Sequence, residues 1–252
     1  MKKGEKGEML ADTDGSTSSG FKSSCLFIFI IFVVLLLSFD TYQRNGMWWD
    51  DVILWKDVIR KSPGNARGYN GLGLIYSDRG QLDEAIKEYL SALTLQFNYP
   101  NAHNNLGIAY AKQGRLNEAI NEFMIALRLN PDYPMAHNNL GIAYAKQGRL
   151  NEAIEEFMIA LRLNPDYTEV HNNLGITYAK QGRLNEAIHE YMTALKIAPQ
   201  DAEVHYNLGL AYWEKGLKQK AKEEIDITLK LRPDFTPAQK AFESLYNKSH
   251  TF

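Results

Sequence analysis

Asparagines and lysines that recur at a fixed spacing are the residues of this sequence best suited to binding chemistry. Two adjacent columns of amides repeat every 34 residues: Asn70, Asn104, Asn138 and Asn172, then Asn105, Asn139, Asn173 and Asn207. Three lysines have the same spacing: Lys112, Lys146 and Lys180. An amide can both donate a hydrogen bond to a peptide backbone and accept one from it. These residue types therefore point to binding of a polypeptide main chain.

A column of histidines has the same period, but its spacing argues against a metal centre. The column consists of His103, His137, His171 and His205. Zinc requires each ligand nitrogen at about 2.0–2.1 Å, whereas neighbouring packed helices lie about 8–10 Å apart. We therefore expect semi-buried packing histidines. The sequence contains no Ser/His/Asp set, paired-carboxylate site or phosphate-binding loop, so we predict a non-enzyme that uses no cofactor.

Composition excludes other classes of function. The chain has 252 residues, with 28 Lys+Arg against 30 Asp+Glu and a net charge of −2. A nucleic-acid-binding protein normally shows a strong basic excess, so no nucleic-acid partner is predicted. The single cysteine, Cys25, rules out an intramolecular disulfide framework.

The columns belong to a repeat of 34 residues that begins at Ala66. Each copy has Leu-Gly-x2-Tyr, then Gly, then Ala-x3 before a large apolar residue, and four of the five copies have Pro two residues before their end. This pattern resembles the tetratricopeptide repeat (TPR) family. The resemblance implies an all-α, right-handed TPR superhelix (α-solenoid) in which every unit has two helices, A and B. The units are 66–99, 100–133, 134–167, 168–201 and 202–235.

Three positions within a unit have specific structural expectations. Gly107 in helix A should let helix B approach closely through Ala119 and Ala126. Gly114 should end helix A in a left-handed conformation. Asn130, which precedes a proline, should end helix B.

In TPR proteins the A helices line the concave face, and the resemblance places both asparagine columns and the lysines on exposed positions there. The arrangement is similar to the amide ladders with which some TPR superhelices, including that of O-GlcNAc transferase, hold an extended polypeptide. The candidate peptide-binding residues are Asn104, Asn105, Asn138, Asn139, Asn172, Asn173, Asn207, Lys112, Lys146 and Lys180. The alternative is that the asparagines are solvated residues multiplied by duplication, because 101–134 and 135–168 differ at only three positions.

The N-terminal part is unlike the repeats. Residues 1–22 are predicted to be a disordered tail, rich in Gly, Ser, Thr and charge. Residues 23–42 are predicted to form a single transmembrane signal-anchor helix, because Ser23 to Phe39 lack any charge. Trp48 and Trp49 follow, as at a membrane interface. A cleaved signal peptide is the alternative. Basic residues before and after the segment balance, so charge does not set its orientation.

The segments on either side of the repeats complete the predicted domain organisation. Residues 43–65 are a junction with an N-capping half-repeat, and 236–252 form a C-terminal capping helix and tail. The junction resembles one in multi-span TPR membrane proteins related to the transmembrane-and-TPR O-mannosyltransferases. The matching residues are Arg44-Asn45, Leu54-Trp55 and Ser62-Pro63-Gly64-Asn65-Ala66-Arg67. That resemblance implies repeats outside the cytoplasm, but the catalytic multi-span portion of the family is missing.

The sequence therefore predicts a single-pass, membrane-anchored TPR scaffold that binds a polypeptide segment in its concave groove, with the repeats extracytoplasmic. The alternative is a non-catalytic accessory subunit of a membrane glycosyltransferase or cell-envelope assembly complex, with a polytopic membrane partner. A third hypothesis, a membrane-tethered cytoplasmic adaptor, reverses the orientation.

Overall fold

The structure is a computed structural model that describes residues 33–34 and 51–247 of the chain. The predicted tail, 1–22, lies outside the described residues, as does the predicted transmembrane helix 23–42 apart from Val33 and Val34. Within the described part of the chain, no helix combines the length and the apolar character needed to cross a membrane. The chain divides into two compact units, residues 1–57 and 58–252, and the second contains the repeats.

Between Asp51 and Asn247 the described backbone forms twelve α-helices and no strand. The helices are α1 (Asp51–Lys61), α2 (Ala66–Asp78), α3 (Leu82–Leu95), α4 (Pro100–Lys112), α5 (Leu116–Leu129), α6 (Pro134–Lys146), α7 (Leu150–Leu163), α8 (Thr168–Lys180), α9 (Leu184–Ile197), α10 (Ala202–Glu214), α11 (Lys218–Leu231) and α12 (Thr236–Asn247). Helices α2 to α11 make five A–B pairs, one in each predicted unit. Each B helix also packs on the next A helix.

The apolar stripe of each helix explains why the helices stack. In α5 the buried residues are Ala119, Ile120, Phe123 and Ala126, a spacing that puts them on one side of a helix. Glu118 in the first turn and Arg128 in the last turn complement the helix dipole. A helix of this length is marginal alone in water, so burial against neighbouring helices is what stabilises it.

The turn between helices A and B has the predicted glycine geometry. Gly114 has a φ of 79°, a value that residues with a side chain rarely adopt. The N–H of Arg115 donates to the carbonyl of Tyr110 at 2.9 Å, and that of Gly114 to Ala111 at 3.2 Å. These two bonds form a Schellman motif, which ends the helix and satisfies its last carbonyls.

At the other end of the pair, Asn130 follows the last residue of α5. Its backbone is extended, with φ −142° and ψ 91°. The predicted end of helix B at Asn130 is therefore confirmed.

The glycine inside helix A packs against an aromatic ring. A methyl group at Gly107 would lie 2.6 Å from Cε1 of Phe123, too close for any real contact. The same clash would occur with Tyr89, Phe157 and Tyr191 in three other units. The expectation that Ala119 and Ala126 use this space named the wrong partner. The glycine removes a side chain so that the ring of helix B can lie directly on helix A.

The core extends from unit to unit along the repeats. One cluster of buried apolar residues extends from Ala66 to Ala109, and a second from Ala119 to Ala221. Tyr110 packs against both clusters. Since each layer is shared by neighbouring units, the array holds the A helices side by side, and this arrangement positions the asparagine and lysine columns.

Candidate peptide-binding face

The asparagine columns pair with each other across neighbouring units. In each pair, Nδ2 of the sixth residue of one unit donates to Oδ1 of the fifth residue of the unit before it. The distances are 3.1 Å from Asn105 to Asn70, 2.9 Å from Asn139 to Asn104, 3.1 Å from Asn173 to Asn138 and 3.0 Å from Asn207 to Asn172. We call these eight residues the amide ladder. It links five consecutive A helices, from α2 to α10.

Because the asparagines pair between units, those at the fifth position are less exposed than predicted. Asn70, Asn104 and Asn138 are buried, the last two almost completely, so the prediction that they are exposed is wrong. Their side chains fill the junction between neighbouring A helices, where the amide pair needs them. Asn172 and the four sixth-position asparagines are half-buried. Among the described residues nothing donates to Oδ1 of Asn139 or Asn173, so those oxygens keep capacity for a ligand.

One amide in the ladder lacks a partner for its donor. Nδ2 of Asn104 is buried and makes no hydrogen bond. Nδ2 of Asn138, one unit later, donates to Oε1 of Glu169 at 3.3 Å. The residue at the matching position in the unit before Glu169 is Met135, which has no strong acceptor.

The lysines lie at the C-terminal ends of the A helices. Lys112, Lys146 and Lys180 are the last residues of α4, α6 and α8, and all three are exposed as predicted. Nζ of Lys112 donates to Oγ of Ser77 at 3.4 Å. Within the described residues, Lys146 and Lys180 have no hydrogen-bond or ion-pair partner. Their charge is therefore available to a bound molecule.

An aliphatic column lies between the asparagines and the lysines, and the sequence analysis did not select it. It occupies the ninth position of the units: Leu74, Ile108, Ile142, Ile176 and Leu210. Leu74 is 41% exposed, and the others are half-buried. An aliphatic residue at the same position of all five units was the signal that could have identified it.

A cavity lined by α8, α9 and α10 brings the three columns together. Its lining includes Asn207, Ile176 and Lys180, together with Leu210 and Glu214. We call the surface made by the sixth, ninth, twelfth and thirteenth positions of the units the A-helix face. At this cavity the face offers an amide, aliphatic side chains, a free ammonium and the carboxylate of Glu214 to one ligand.

The histidines are packed in the interior, as expected from the sequence, but their hydrogen bonds were not predicted. All four are buried, and Nδ1 of each lies 2.6–2.7 Å from a glutamate of helix B in its own unit. The glutamates are Glu122, Glu156, Glu190 and Glu224, each 19 residues after its histidine. Nε2 of each ring lies 2.9–3.0 Å from a backbone carbonyl at the end of the preceding unit.

For His137 and His171, two acceptors on one imidazole favour the protonated form, because only the imidazolium can donate from both nitrogens. Burial alone would lower the pKa of His137, but its hydrogen bonds to Glu156 and the Pro131 carbonyl outweigh burial and raise it. For His171 the hydrogen bond to Glu190 is the largest effect, and it raises the pKa against the opposing effect of burial. The imidazoles thus hold helix A to helix B and to the preceding unit.

Stacked helix pairs with a 34-residue period, a Schellman glycine and a glycine–aromatic contact define a tetratricopeptide repeat protein. TPR proteins generally act as non-catalytic scaffolds for other proteins. Residues 54–250 match the family model for the cilia and flagella-associated protein 70 C-terminal domain, and the chain belongs to this TPR family.

Solved TPR structures are similar to the chain. YrrB, described as a TPR protein with an unusual peptide-binding site, is 26% identical, with a TM-score of 0.59 over 74% of this chain and 96% of its own. MamA is 27% identical, with a TM-score of 0.59 over 64% of this chain and 95% of its own. The Pseudomonas aeruginosa protein pilF is 19% identical and has a TM-score of 0.66 over 73% of this chain and 86% of its own, which shows a shared fold.

A curated relative has a shorter region of similarity. Protein O-mannosyl-transferase F38B6.6 of Caenorhabditis elegans is 33% identical over 69 residues. The match covers 27% of this chain and 10% of the enzyme, so the chain matches only a small part of that relative's length.

Proposed function

We propose that the protein is a membrane-anchored scaffold that binds an extended polypeptide segment along its A-helix face. The observation that carries this proposal is the cavity lined by α8, α9 and α10, where Asn207, Ile176 and Lys180 line one space. The likeness to YrrB, whose description names a peptide-binding site, supports it.

The free groups of the face suit a peptide main chain. Oδ1 of Asn139 and of Asn173 can each accept a hydrogen bond from a peptide N–H. Ile142 and Ile176 offer apolar contact to the peptide's side chains. An extended segment has main-chain groups that are not bonded within it, so the half-buried amides can replace water as its partners.

A photocrosslinking experiment with the full chain tests this proposal. A photoreactive amino acid at Ile176 should form a product with a defined segment of a native partner. Ile142→Arg places a bulky charge in the face and should abolish the product. Met158→Arg, at a residue of α7 that is 50% exposed, is the matched control and should leave it unchanged.

Both variants should keep the helicity of the parent chain by circular dichroism. Equal yields from Ile142→Arg and Met158→Arg would overturn binding along the A-helix face.

The anchor is the second part of the proposal. Residues 23–42 contain the uncharged run from Ser23 to Phe39, long enough at about 17 residues to cross a bilayer. We place the repeats outside the cytoplasm, which the likeness of the junction to the O-mannosyltransferase relatives supports. Protease added to sealed vesicles of known orientation should digest the repeats only when the extracytoplasmic side is outside. Digestion from the cytoplasmic side would reverse the assignment.

A second candidate function rests on the relative from Caenorhabditis elegans. Similarity to 69 residues of an O-mannosyltransferase favours an accessory subunit of a membrane glycosyltransferase, with the active site on another chain. Such a subunit should copurify with a polytopic glycosyltransferase in mild detergent. A scaffold with unrelated partners should not.

A further inference from the structure

We propose that the segment bound on the A-helix face has three acidic residues at every third position, each next to an aliphatic residue. This inference rests on the proposed function and specifies its ligand. The matching conformation is polyproline II, so the third residue of each triplet can be proline or any residue that faces solvent.

The charge of the face selects acidic side chains. In the three central units the thirteenth position is lysine, and the sixth, ninth and twelfth positions are uncharged. Lys146 and Lys180 are exposed and unpaired within the described residues, so a carboxylate would not have to displace another partner. A basic segment would face like charge along this row.

The spacing of the face selects the period of the ligand. Packed helices lie about 8–10 Å apart. The three lysines occupy the same position of consecutive A helices, so we expect them to recur at about that distance. A polyproline II segment rises about 3.1 Å per residue and turns once every three residues. Its side chains at i, i+3 and i+6 therefore lie on one side, about 9 Å apart. A β-strand repeats on one side about every 6.8 Å, which does not match.

The amide ladder argues against a helical ligand, although residues seven apart in an α-helix also recur at about 10.5 Å. The main-chain groups of a helix interior are bonded within the helix. They would leave Oδ1 of Asn139 and Asn173 without a main-chain donor. A polyproline II segment has no internal hydrogen bonds, and its N–H groups are free.

The aliphatic column fixes the second residue of the triplet. Ile142 and Lys146 are four residues apart in one helix, so their side chains are neighbours on its surface. The same pairing recurs with Ile108 and Lys112 and with Ile176 and Lys180. A ligand whose acidic side chain reaches the lysine therefore presents an adjacent residue to the isoleucine.

The ends of the lysine row limit the ligand to three acidic positions. The thirteenth residue is Asp78 in the first unit and Glu214 in the last, and both are exposed. A fourth carboxylate in register would meet a like charge at either end. The face is therefore built for about nine residues of ligand.

Synthetic peptides test the inference with the full chain in detergent. A fluorescein-labelled peptide of three Glu-Leu-Pro triplets should bind at least about 10-fold more tightly than a peptide of the same composition with its three glutamates adjacent. Lys146→Gln should weaken binding about 3-fold, as expected for one exposed ion pair. A variant in which Lys112, Lys146 and Lys180 are all changed to glutamine should lose most of the affinity for the peptide. Added salt should weaken the complex of the parent chain.

The matched control changes three exposed lysines of the B helices, Lys87, Lys196 and Lys230, to glutamine, and should bind like the parent. A fourth triplet should add nothing to the parent, but should tighten binding to Glu214→Lys by about 3-fold. Fluorescence anisotropy of the labelled peptide measures the affinity in every case.

The outcomes separate this inference from the proposed function. Equal affinity for the two peptides, or no binding of either, overturns the acidic triplet. If the Ile176 crosslink still depends on Ile142 in that case, the A-helix face binds a segment of different chemistry and the proposed function stands. Loss of both results overturns the proposed function as well.

Discussion

Helices A and B within a unit are joined by different chemistry from neighbouring A helices. Within a unit, Phe123 of α5 lies directly on Gly107 of α4, an apolar contact that admits no added atom. Between units, α4 and α6 are linked by the hydrogen bond from Asn139 to Asn104. The first contact makes a helix pair out of two helices that are marginal alone. The second sets the register of one pair on the next and leaves polar groups at the A-helix face.

Truncating the aromatic residue should give the largest effect on stability and would break the within-unit contact. Phe123→Ala removes a fully buried ring and leaves a cavity above Gly107, so we expect the free energy of unfolding to fall by about 3–5 kcal/mol. Urea denaturation followed by circular dichroism measures this loss. The control is Met124→Ala, because Met124 is the next residue and is 46% exposed. A loss for Phe123→Ala as small as that of the control would contradict the role assigned to the ring.

Removing one hydrogen-bonded pair of the amide ladder tests the contact between units. Asn138→Ala leaves Nδ2 of Asn173 without its acceptor and removes the donor to Glu169, so we expect a loss of about 1–3 kcal/mol. The loss should be smaller than that of Phe123→Ala, because the polar groups left behind are partly accessible to water. Asn121→Ala, at an exposed residue of α5, is the control with the same change of side chain. Equal stability of the two variants would mean that the ladder does not hold the units together.

The histidines add a second link between helices A and B and a second link between units, and these links should depend on pH. The folded state raises the pKa of His137 and His171 above the ordinary value of about 6.5. Their contribution to stability is therefore complete below that value and is lost as pH rises through the raised pKa. Thermal melts between pH 6 and 8 should show stability falling with pH. Replacing both residues with glutamine should flatten this dependence, and an unchanged slope would contradict the assignment.

The sequence predicted the helices and their ends well, because those depend on residues close together in the chain. Gly114 and Asn130 act within one turn. The 34-residue period places a glycine equivalent to Gly114 in all five units and an asparagine equivalent to Asn130 in two. The burial of Asn104 could not be predicted in this way, since its partner Asn139 lies 35 residues away. A repeat register indicates the side of a helix on which a residue lies, but gives no distance to the next helix.

The histidine–glutamate pairs left a signal in the sequence. Each glutamate follows its histidine by 19 residues, a spacing that recurs in four units, but it joins two helices whose relative rotation the pattern alone does not give. The family resemblance supplied the solenoid fold. Membrane anchoring through residues 23–42 and peptide binding stay predictions.

The smallest expected effect is a gain in stability, and it follows from a difference between two asparagines of the amide ladder. Nδ2 of Asn138 has Glu169 as its acceptor, whereas Nδ2 of Asn104 has none, and Met135 stands at the position that matches Glu169. Met135→Glu should supply the missing acceptor and raise the free energy of unfolding by about 1 kcal/mol, since an unsatisfied buried donor is costly.

A glutamate at position 135 also lies in the first turn of α6, where the helix dipole alone favours a negative charge. Met135→Gln separates the two causes, because its amide oxygen accepts a hydrogen bond without adding charge. If the hydrogen bond is the cause, Met135→Gln keeps most of the gain in stability. In a chain that already carries Asn104→Ala, the change at position 135 then gives no gain. A gain that appears only with glutamate and persists with Asn104→Ala would assign the effect to the dipole, and would mean that the donor of Asn104 is satisfied by water.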